Sequence, residues 1–306
     1  MKFYVYDKDK LEECIHESQW CCTRIDEKYI GCKPLLNNSY HHITNISLLE
    51  QTTSEECDYF LVPYYIRHTH HFKDDDMLDA FLNKNLDFYG TSPEKHIFFL
   101  ASDDTRPIKA LEKSIVFAFS TTKESKNICL HYQPIIKPPE KISNIELCRF
   151  DISFQGYICN QIRKKSVMQI EKLNSVVINN RYWFHKFMGI DTTEMERNYS
   201  GLMQMSKFIL CPRGFGTNSI RFFEAMAFGR LPVLIADSTK LPLENKIRYN
   251  DFIVRVKEDE LESLPDVLEK NKKDLIEKSK IARTAWENYF SPCKLPFFMQ
   301  ESLNNA

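Results

Sequence analysis

The sequence has little glycine, no long apolar segment and almost no net charge. Only eight of its 306 residues are glycine, although three of these lie between positions 214 and 229. Lysine plus arginine number 41 against 42 for aspartate plus glutamate, so the charge gives no reason to expect nucleic acid as a partner. Because no apolar run approaches the ~20 residues of a bilayer-spanning helix, we predict no membrane span.

Ten cysteines are present, but their spacing matches no common metal site. None of them forms a C-x-x-C pair, and no zinc pattern connects the four that lie before position 33. The chain opens with MKFYVYDKDK, a strand-like pattern rather than the apolar region of a signal peptide. These features predict a reducing, cytoplasmic location.

The stretch 207–237 alternates between apolar runs and breaks, and this pattern predicts a βαβ unit. Residues 208–211 have the length of a buried strand, and a turn with two glycines follows at 212–216. A helical pattern runs from about 218 to 228, and a second apolar run follows at 231–236. The order predicts a right-handed crossover in a parallel sheet.

The predicted helix carries two charges in an otherwise apolar sequence. Asn218 or Ser219 is its predicted N-cap, and Gly229 is well placed to end it. Arg221 and Glu224 lie three residues apart, on one face. Since buried charges cost free energy unless they are paired or bind a ligand, two interpretations stay open: a mutual ion pair, or a polyanionic ligand at the helix N-terminus.

The second interpretation uses the glycine turn as a phosphate site. Backbone N–H groups of the turn and the helix dipole would face the phosphates. Arg213 and Arg221 would add planar, forked charge that matches phosphate oxygens. Glu224, one turn into the helix, would accept hydrogen bonds from ribose hydroxyls.

The same stretch, with the residues that follow it, resembles the exostosin family of glycosyltransferases. The matching residues are Cys211-Pro212-Arg213-Gly214, Ser219, Arg221, Phe223-Glu224-Ala225, Pro232-Val233, Ala236-Asp237 and Leu241-Pro242, while Leu243 replaces the usual phenylalanine. The resemblance implies an α/β protein with the GT-B fold, in which two Rossmann-like domains face a cleft, and a UDP-sugar donor. Eukaryotic members usually carry an anchor and a lumenal stem, neither of which is found here, so we expect a bacterial or virus-encoded member.

The resemblance also selects the residues expected to bind the nucleotide sugar. Arg163 lies seven residues after Gly156, as an arginine does in the family's F-x-G…R pattern. The alternative for Arg163 is a solvated position, since it is one of three consecutive basic residues on a helix. The predicted nucleotide-sugar-binding set is Arg163, Arg213, Gly214, Gly216, Thr217, Ser219, Arg221 and Glu224.

A proline-rich segment at 134–140 predicts a link between two domains. We predict an acceptor-side Rossmann-like domain at 1–145 and a nucleotide-sugar-binding Rossmann-like domain at 146–275. A tail at 276–306 is expected to pack back on the first domain.

Ligands bind beyond the carboxyl ends of parallel strands. In the first domain one such end is predicted at Asp7. A strand at 57–62, ended by Pro63, places Tyr64 and Tyr65 at another. These three residues are assigned to the acceptor side of the cleft.

Inverting glycosyl transfer needs a base near the acceptor hydroxyl. The segment IFFLASDDTRP resembles the family's strand followed by H-D-x-x-P, with Asp104 at the aspartate position and Asp103 replacing the histidine. Asp104 is therefore the candidate catalytic base. The alternative is that both aspartates cap a helix beginning near Pro107.

A histidine cluster at His68, His70 and His71 precedes three acids at 74–76 that contain a D-x-D sequence. The histidine spacing fits no zinc pattern. The acids open a helical pattern, where negative charge is favourable. We therefore predict solvated positions here, no metal ligands and no cofactor beyond the donor.

Together these features predict a glycosyltransferase that moves a sugar from a UDP-sugar to a hydroxyl of a glycan acceptor, with inversion and without metal. Xylose, galactose and glucuronate are the sugars that the resemblance allows. One alternative is an NAD(P)-dependent oxidoreductase, because Gly214-x-Gly216 follows a strand and Asp237 lies about twenty residues further; Ser219 at the third glycine position weighs against it. The other is a non-catalytic sugar-nucleotide-binding protein.

Overall fold

Two parallel sheets, one in each of two α/β units, form the framework of the chain. The computed structural model describes residues 1–7, 48–66, 75–100, 103, 105–132, 134, 136–180 and 191–305, with the backbone alone for residues 64–66 and for 24, 25, 28 and 29. The first unit comprises Met1–His131, Lys240–Pro242 and Pro292–Ala306, and the second comprises Tyr132–Thr239 and Leu243–Ser291.

The first unit has a six-stranded sheet. Its strands are β1 (Lys2–Val5), β4 (Glu50–Gln51), β5 (Tyr59–Ile66), β6 (His96–Leu100), β7 (Ile115–Ala118) and β8 (Ile128–Cys129). They pair in the order β4-β1-β5-β6-β7-β8, and every pair is parallel. A separate antiparallel pair consists of β2 (Arg24–Ile25) and β3 (Lys28–Tyr29). Helix α1 (Asp75–Asn85) buries Leu78 and Leu82, one turn apart, in a cluster with Phe60 and Phe98 of the sheet.

Strand β5 continues through Pro63, where the sequence predicted it to end. The pairing of β5 with β6 shifts register between Leu61 and Tyr65. The proline therefore lies at an irregularity, where its missing N–H interrupts no regular ladder. The predicted end at Pro63 is wrong for this reason, and the backbone of Tyr64 and Tyr65 belongs to the strand.

The second unit has a five-stranded sheet. Its strands are β9 (Phe150–Gly156), β10 (Ser175–Asn179), β11 (Ser206–Pro212), β12 (Leu231–Ile235) and β13 (Val254–Arg255). They pair in the order β10-β9-β11-β12-β13, again all parallel. The prediction of two parallel-sheet α/β domains, the architecture of GT-B glycosyltransferases, is confirmed.

The helices of the second unit cover its sheet. They are α2 (Gln161–Ile170), α3 (Thr193–Gln204), α4 (Ile220–Ala227), α5 (Leu264–Asn271) and α6 (Leu275–Ala285), and a π-helical turn at Trp286–Phe290 continues α6. On one face, Val167 of α2 and Leu264 of α5 share a buried cluster with Phe154 and Phe208 of the sheet. Within the described ranges, no helix combines the length and the apolar composition that crossing a bilayer requires.

The βαβ unit predicted within 207–237 is confirmed as β11, α4 and β12. Ser219 is the N-cap of α4, with extended backbone angles. Gly229 follows the helix at φ 60°, in the left-handed region. A Cβ at this glycine would lie 2.7 Å from Ile142. Glycine is required there for both reasons, and it ends the helix as predicted.

The units divide after residue 131, earlier than the predicted boundary at 145. The segment between these positions is tied to the second unit, because the fully buried Arg230 donates to Ser143 O at 3.2 Å. The predicted tail also divides: residues up to Ser291 stay with the second unit. Helix α7 (Leu295–Leu303) belongs to the first unit, where the rings of Phe298 and Phe117 lie 6.3 Å apart.

Candidate functional site

The carboxyl end of the second unit's sheet gathers several of the predicted site residues. Parallel pairing of β9, β11 and β12 brings their carboxyl ends to one edge of the sheet. Gly156 ends β9, Arg213 follows β11, and Arg221 lies in the first turn of α4, directly after the glycine turn. Hydrogen bonds between these segments show how the edge is built.

Arg221 is the most deeply placed of the predicted ligands, with 5% of its surface exposed. Its Nε–H donates to Gln155 O at 2.5 Å, and its guanidinium carbon lies 4.7 Å from the centre of the Phe154 ring. Among the described residues, no ion pair joins Arg221 to Glu224 or to any other carboxylate. The interpretation of these two charges as a mutual ion pair is therefore not supported.

Gly156 makes room for that guanidinium. A Cβ at this position would lie 1.6 Å from Arg221 Nη2. The backbone φ of 153° is also one that residues with a side chain rarely adopt. The end of β9 thus approaches the arginine closely because it carries no side chain.

Glu224 is completely buried, one helical turn beyond Arg221. It accepts a hydrogen bond of 2.5 Å from the hydroxyl of Tyr199, which α3 places beside α4. Tyr199 was not foreseen, because nothing local links residues in two helices separated by a strand. A role for Glu224 with a ribose stays a prediction.

Arg163 fastens the glycine turn to the start of α2. Its Nε–H donates to Arg213 O at 3.1 Å and its Nη1 to Tyr157 O at 2.7 Å. Asn160, the N-cap of α2, donates to Gly214 O at 2.7 Å. The flanking Lys164 is exposed, so Arg163 is not simply part of a solvated basic face. Its bonds run to a backbone carbonyl of the turn and to one that follows β9, so Arg163 positions the turn, and its predicted contact with the nucleotide sugar stays a prediction.

Arg213 is held on the other side of the turn by Glu258, which follows β13. The two side chains form a bidentate pair, with Nε–Oε1 at 2.7 Å and Nη2–Oε2 at 3.0 Å. This hydrogen bonding to Glu258 raises the pKa of Arg213. Asp237 continues the network, accepting the Glu258 N–H at 3.2 Å. Glu258 was not predicted, although its place after a strand of the sheet is the signal that could have found it.

The turn itself exposes one aromatic side chain between two buried glycines. Gly214 and Gly216 are buried, whereas Phe215 is 71% exposed. A Cβ on Gly214 would lie 2.9 Å from Arg163 Nη2. Thr217 is half-buried and Ser219 buried, so the members of the predicted set from Arg213 to Ser219 lie along a single turn that leads into α4.

The predicted acceptor-side and catalytic residues are less fully placed. Asp7 is exposed, two residues after the end of β1. The side chains of Tyr64 and Tyr65 lie outside the described residues, as do Asp104 and the histidines predicted to be solvated. In the part of the chain that the structure covers, no group of three or more His, Cys, Asp or Glu side chains is arranged to hold a metal. Metal independence and the role of Asp104 stay predictions.

Comparisons with known proteins find similar sequences and structures. A family model for the exostosin GT47 domain matches residues 1–271. The probable glucuronosyltransferase GUT1 of Oryza sativa subsp. japonica is 38% identical over 77 residues, which cover 25% of this chain and 18% of that protein. Exostosin-1 of Drosophila melanogaster is 34% identical over 102 residues, covering 33% of this chain and 13% of that protein.

Among solved structures, Anabaena Alr3699/HepE in complex with UDP and glucose aligns with a TM-score of 0.44 at 10% identity, over 83% of this chain and 79% of that one. The alignments with the rice and fly proteins span less than a fifth of the length of either.

Proposed function

The chain belongs to the exostosin GT47 family of glycosyltransferases, and from this premise we propose that it moves a sugar from a UDP-sugar to a hydroxyl of a glycan acceptor. Membership in the family specifies neither the sugar nor the acceptor. Of the three sugars considered, glucuronate has support from the name of the rice relative, a probable glucuronosyltransferase. The family favours this reaction over the oxidoreductase alternative. A bacterial or virus-encoded origin remains part of the proposal.

The burial of Arg221 without a carboxylate partner carries the proposal. A buried cation is costly unless an anion or several acceptors compensate it. In the described structure one of its N–H groups is bonded, to Gln155 O, and the ring of Phe154 covers one face. The terminal amino groups are left for a ligand, at the start of a helix where backbone dipoles already favour negative charge. A diphosphate meets both requirements.

The proposed reaction is a displacement at the anomeric carbon of the donor sugar. The acceptor oxygen forms a bond to that carbon, the bond to the diphosphate oxygen breaks, and its electron pair leaves with UDP. The acceptor proton passes to a carboxylate, for which Asp104 is the candidate. Because a single displacement inverts the anomeric carbon, we propose a reaction with inversion. Arg221 and the N-terminus of α4 stabilise the charge that develops on the leaving diphosphate, which is why we propose that no metal is essential.

Calorimetry with UDP and UDP-sugars, followed by UDP-release assays on a panel of glycan acceptors, tests the proposal. We expect binding of UDP and turnover with at least one donor and acceptor, both retained in EDTA. A protein that binds neither UDP nor any UDP-sugar overturns the proposal. Binding without turnover on any acceptor would favour the non-catalytic alternative, and loss of activity in EDTA with recovery in manganese would show that metal is required.

A further inference from the structure

Two buried polar atoms, one near the carboxyl end of β9 and one at the N-cap of α4, have no hydrogen-bond partner among the described residues. They are Gln155 Oε1, on a side chain 3% exposed, and Ser219 Oγ, on a side chain 2% exposed. Buried side-chain oxygens are satisfied in the large majority of cases, because an unsatisfied one keeps its full desolvation cost. Two orphans at one strand end and one helix N-cap indicate a partner that the described residues do not supply.

Both residues are linked to Arg221 through their backbones. Gln155 O accepts the Nε–H of Arg221. Ser219 O accepts the N–H of Phe222, so that the N-cap carbonyl opens the first turn of α4, in which Arg221 lies. Ser219 makes no side-chain capping bond of its own, which frees its hydroxyl for another partner.

The Gln155 side chain lies on the sheet face that carries α4. Side chains alternate along a strand, and Phe154 belongs to the apolar cluster on the opposite face. The register of β9 with β11 places Cys211 on the same face as Gln155. Burial raises the pKa of the Cys211 thiol, and the nearby positive charge of Arg221 opposes that rise. Gln155 and the first turn of α4 therefore share one side of the sheet.

The two orphans require a ligand group that can donate a hydrogen bond. Gln155 Oε1 accepts and cannot donate, so a phosphate oxygen cannot satisfy it. A hydroxyl satisfies it by donating, and the Ser219 hydroxyl can donate or accept in return. The terminal amino groups of Arg221 require an acceptor nearby. A sugar hydroxyl close to a phosphate combines these properties.

We infer that Gln155, with Ser219, binds a sugar hydroxyl of the donor and sets how tightly the sugar part of the nucleotide sugar is held, while Arg221 holds the phosphate. This inference rests on the proposed function, since the ligand is the UDP-sugar of that reaction. The hydroxyl can belong to the ribose of UDP or to the transferred sugar, and the ligand series below separates the two.

The test is the variant Gln155→Leu, which removes the amide and leaves an apolar side chain one atom shorter. Without ligand, its melting temperature should equal or exceed that of the wild type, because an unsatisfied buried oxygen has been removed. Its affinity for the sugar-bearing ligand should fall about three- to tenfold, as expected for one neutral hydrogen bond. A structural role would predict the opposite pair of results, a lower melting temperature with unchanged affinity.

The ligand series consists of inorganic pyrophosphate, UDP and the UDP-sugars of glucose, galactose, xylose and glucuronic acid, measured by calorimetry. Pyrophosphate affinity should be unaffected by Gln155→Leu. A loss already present with UDP assigns the hydroxyl to ribose, and a loss that appears only with a UDP-sugar assigns it to the transferred sugar. Ser219→Ala should reproduce the loss in part. Gln169→Leu, on α2, is the matched control, because Gln169 Oε1 is already paired with Lys172.

Two results overturn the inference while leaving the proposed function intact. One is wild-type affinity of Gln155→Leu for UDP and for every UDP-sugar that the wild type binds. The other is a fall of several degrees in its melting temperature without ligand. A wild-type protein that binds no UDP or UDP-sugar at all is a different result, and it removes the proposed function together with this inference.

Discussion

The guanidinium of Arg221 occupies the space that a side chain at Gly156 would need, since a Cβ there would lie 1.6 Å from Nη2. The arginine cannot retreat easily, because Gln155 O and the Phe154 ring hold it from β9 itself. The carboxyl end of β9 and the first turn of α4, more than sixty residues apart in the chain, thus pack together around the guanidinium of Arg221.

Gly156→Ala should displace Arg221 and weaken the binding of UDP. The added Cβ also strains the backbone at φ 153°, which costs on the order of 1–3 kcal/mol of stability. Calorimetry with UDP and a melting curve measure the two effects. The control is Gly201→Ala in α3, where a Cβ meets nothing within 4 Å; it should stabilise the fold by about 0.5–1 kcal/mol and leave binding unchanged. Equal UDP affinity of both variants would contradict the prediction.

Arg221→Ala should lower UDP affinity by about 1.5–3 kcal/mol, the cost of losing a hydrogen bond to a charged group. Arg221→Lys should recover little of this, because lysine keeps the charge but not the planar fork. Tyr199→Phe is a useful comparison, because it leaves the buried Glu224 short of one partner. It should lower the melting temperature and have little effect on UDP affinity. If Arg221→Ala binds UDP as tightly as the wild type, the phosphate lies elsewhere.

Arg163→Met should loosen the glycine turn, and it also changes a member of the predicted nucleotide-sugar-binding set. The two hydrogen bonds to Arg213 O and Tyr157 O are lost. We therefore expect clearly weaker UDP binding and only a small fall in the melting temperature. Lys164→Met, at the exposed neighbouring position, is the matched control. The restoring variant Arg163→Lys should recover only part of the affinity, because a single ammonium cannot reach both carbonyls in the same geometry. Identical affinities for the variants at 163 and 164 would show that the turn does not depend on Arg163.

How much of this site the sequence could predict follows from the range of each interaction. The strand, glycine turn and helix of 207–237 are local, and apolar length with turn residues was enough to predict them. The partner of Arg213 is 45 residues away in the chain, and only the order of strands brings Glu258 beside it. Tyr199 and Glu224 are likewise distant in the chain, 25 residues apart, and only the packing of two helices brings them into contact.

Pro63 is a case in which a local rule, that proline ends a strand, gives the wrong prediction. A proline was expected to end its strand because it cannot donate to the ladder. The structure instead shifts the register of β5 at this point and continues the strand to Ile66. Whether a strand ends or adapts depends on the partner strand, here β6, which the local sequence does not contain.

The stability of the first unit should fall as the pH drops below about 6.5, and His96 should account for part of this. Burial lowers the pKa of His96 from its ordinary value of 6.5, against the opposing effect of Ser92 O. Nδ1 lies 2.8 Å from Ser92 O, which can only accept, so Nδ1 carries the proton and Nε2 accepts from the Tyr6 hydroxyl, also at 2.8 Å.

Because the unfolded chain binds the proton more readily, this stability is complete above pH 6.5 and is lost as the pH falls towards the lower pKa of the folded state. Denaturant unfolding between pH 7.5 and 5 measures the effect, and His96→Gln should show a flatter pH dependence than the wild type. Parallel curves for the two proteins would rule out a contribution from His96.

Asp104→Asn should lower turnover by roughly a hundredfold or more, as expected on losing a general base, while UDP affinity stays near that of the wild type. Affinity should be retained because the residues proposed to hold the nucleotide, Arg221 and the turn that Arg163 fastens, belong to the other unit. A helix-capping role for Asp104 predicts normal turnover and a near-normal melting temperature for Asp104→Asn, because asparagine caps a helix as well as aspartate does, and a lower melting temperature only for Asp104→Ala. Measuring kcat, UDP affinity and melting on one preparation separates the two, with Asp103→Asn as the neighbouring control. Full activity of Asp104→Asn would move the search for the base to Asp7, the exposed carboxylate that follows β1.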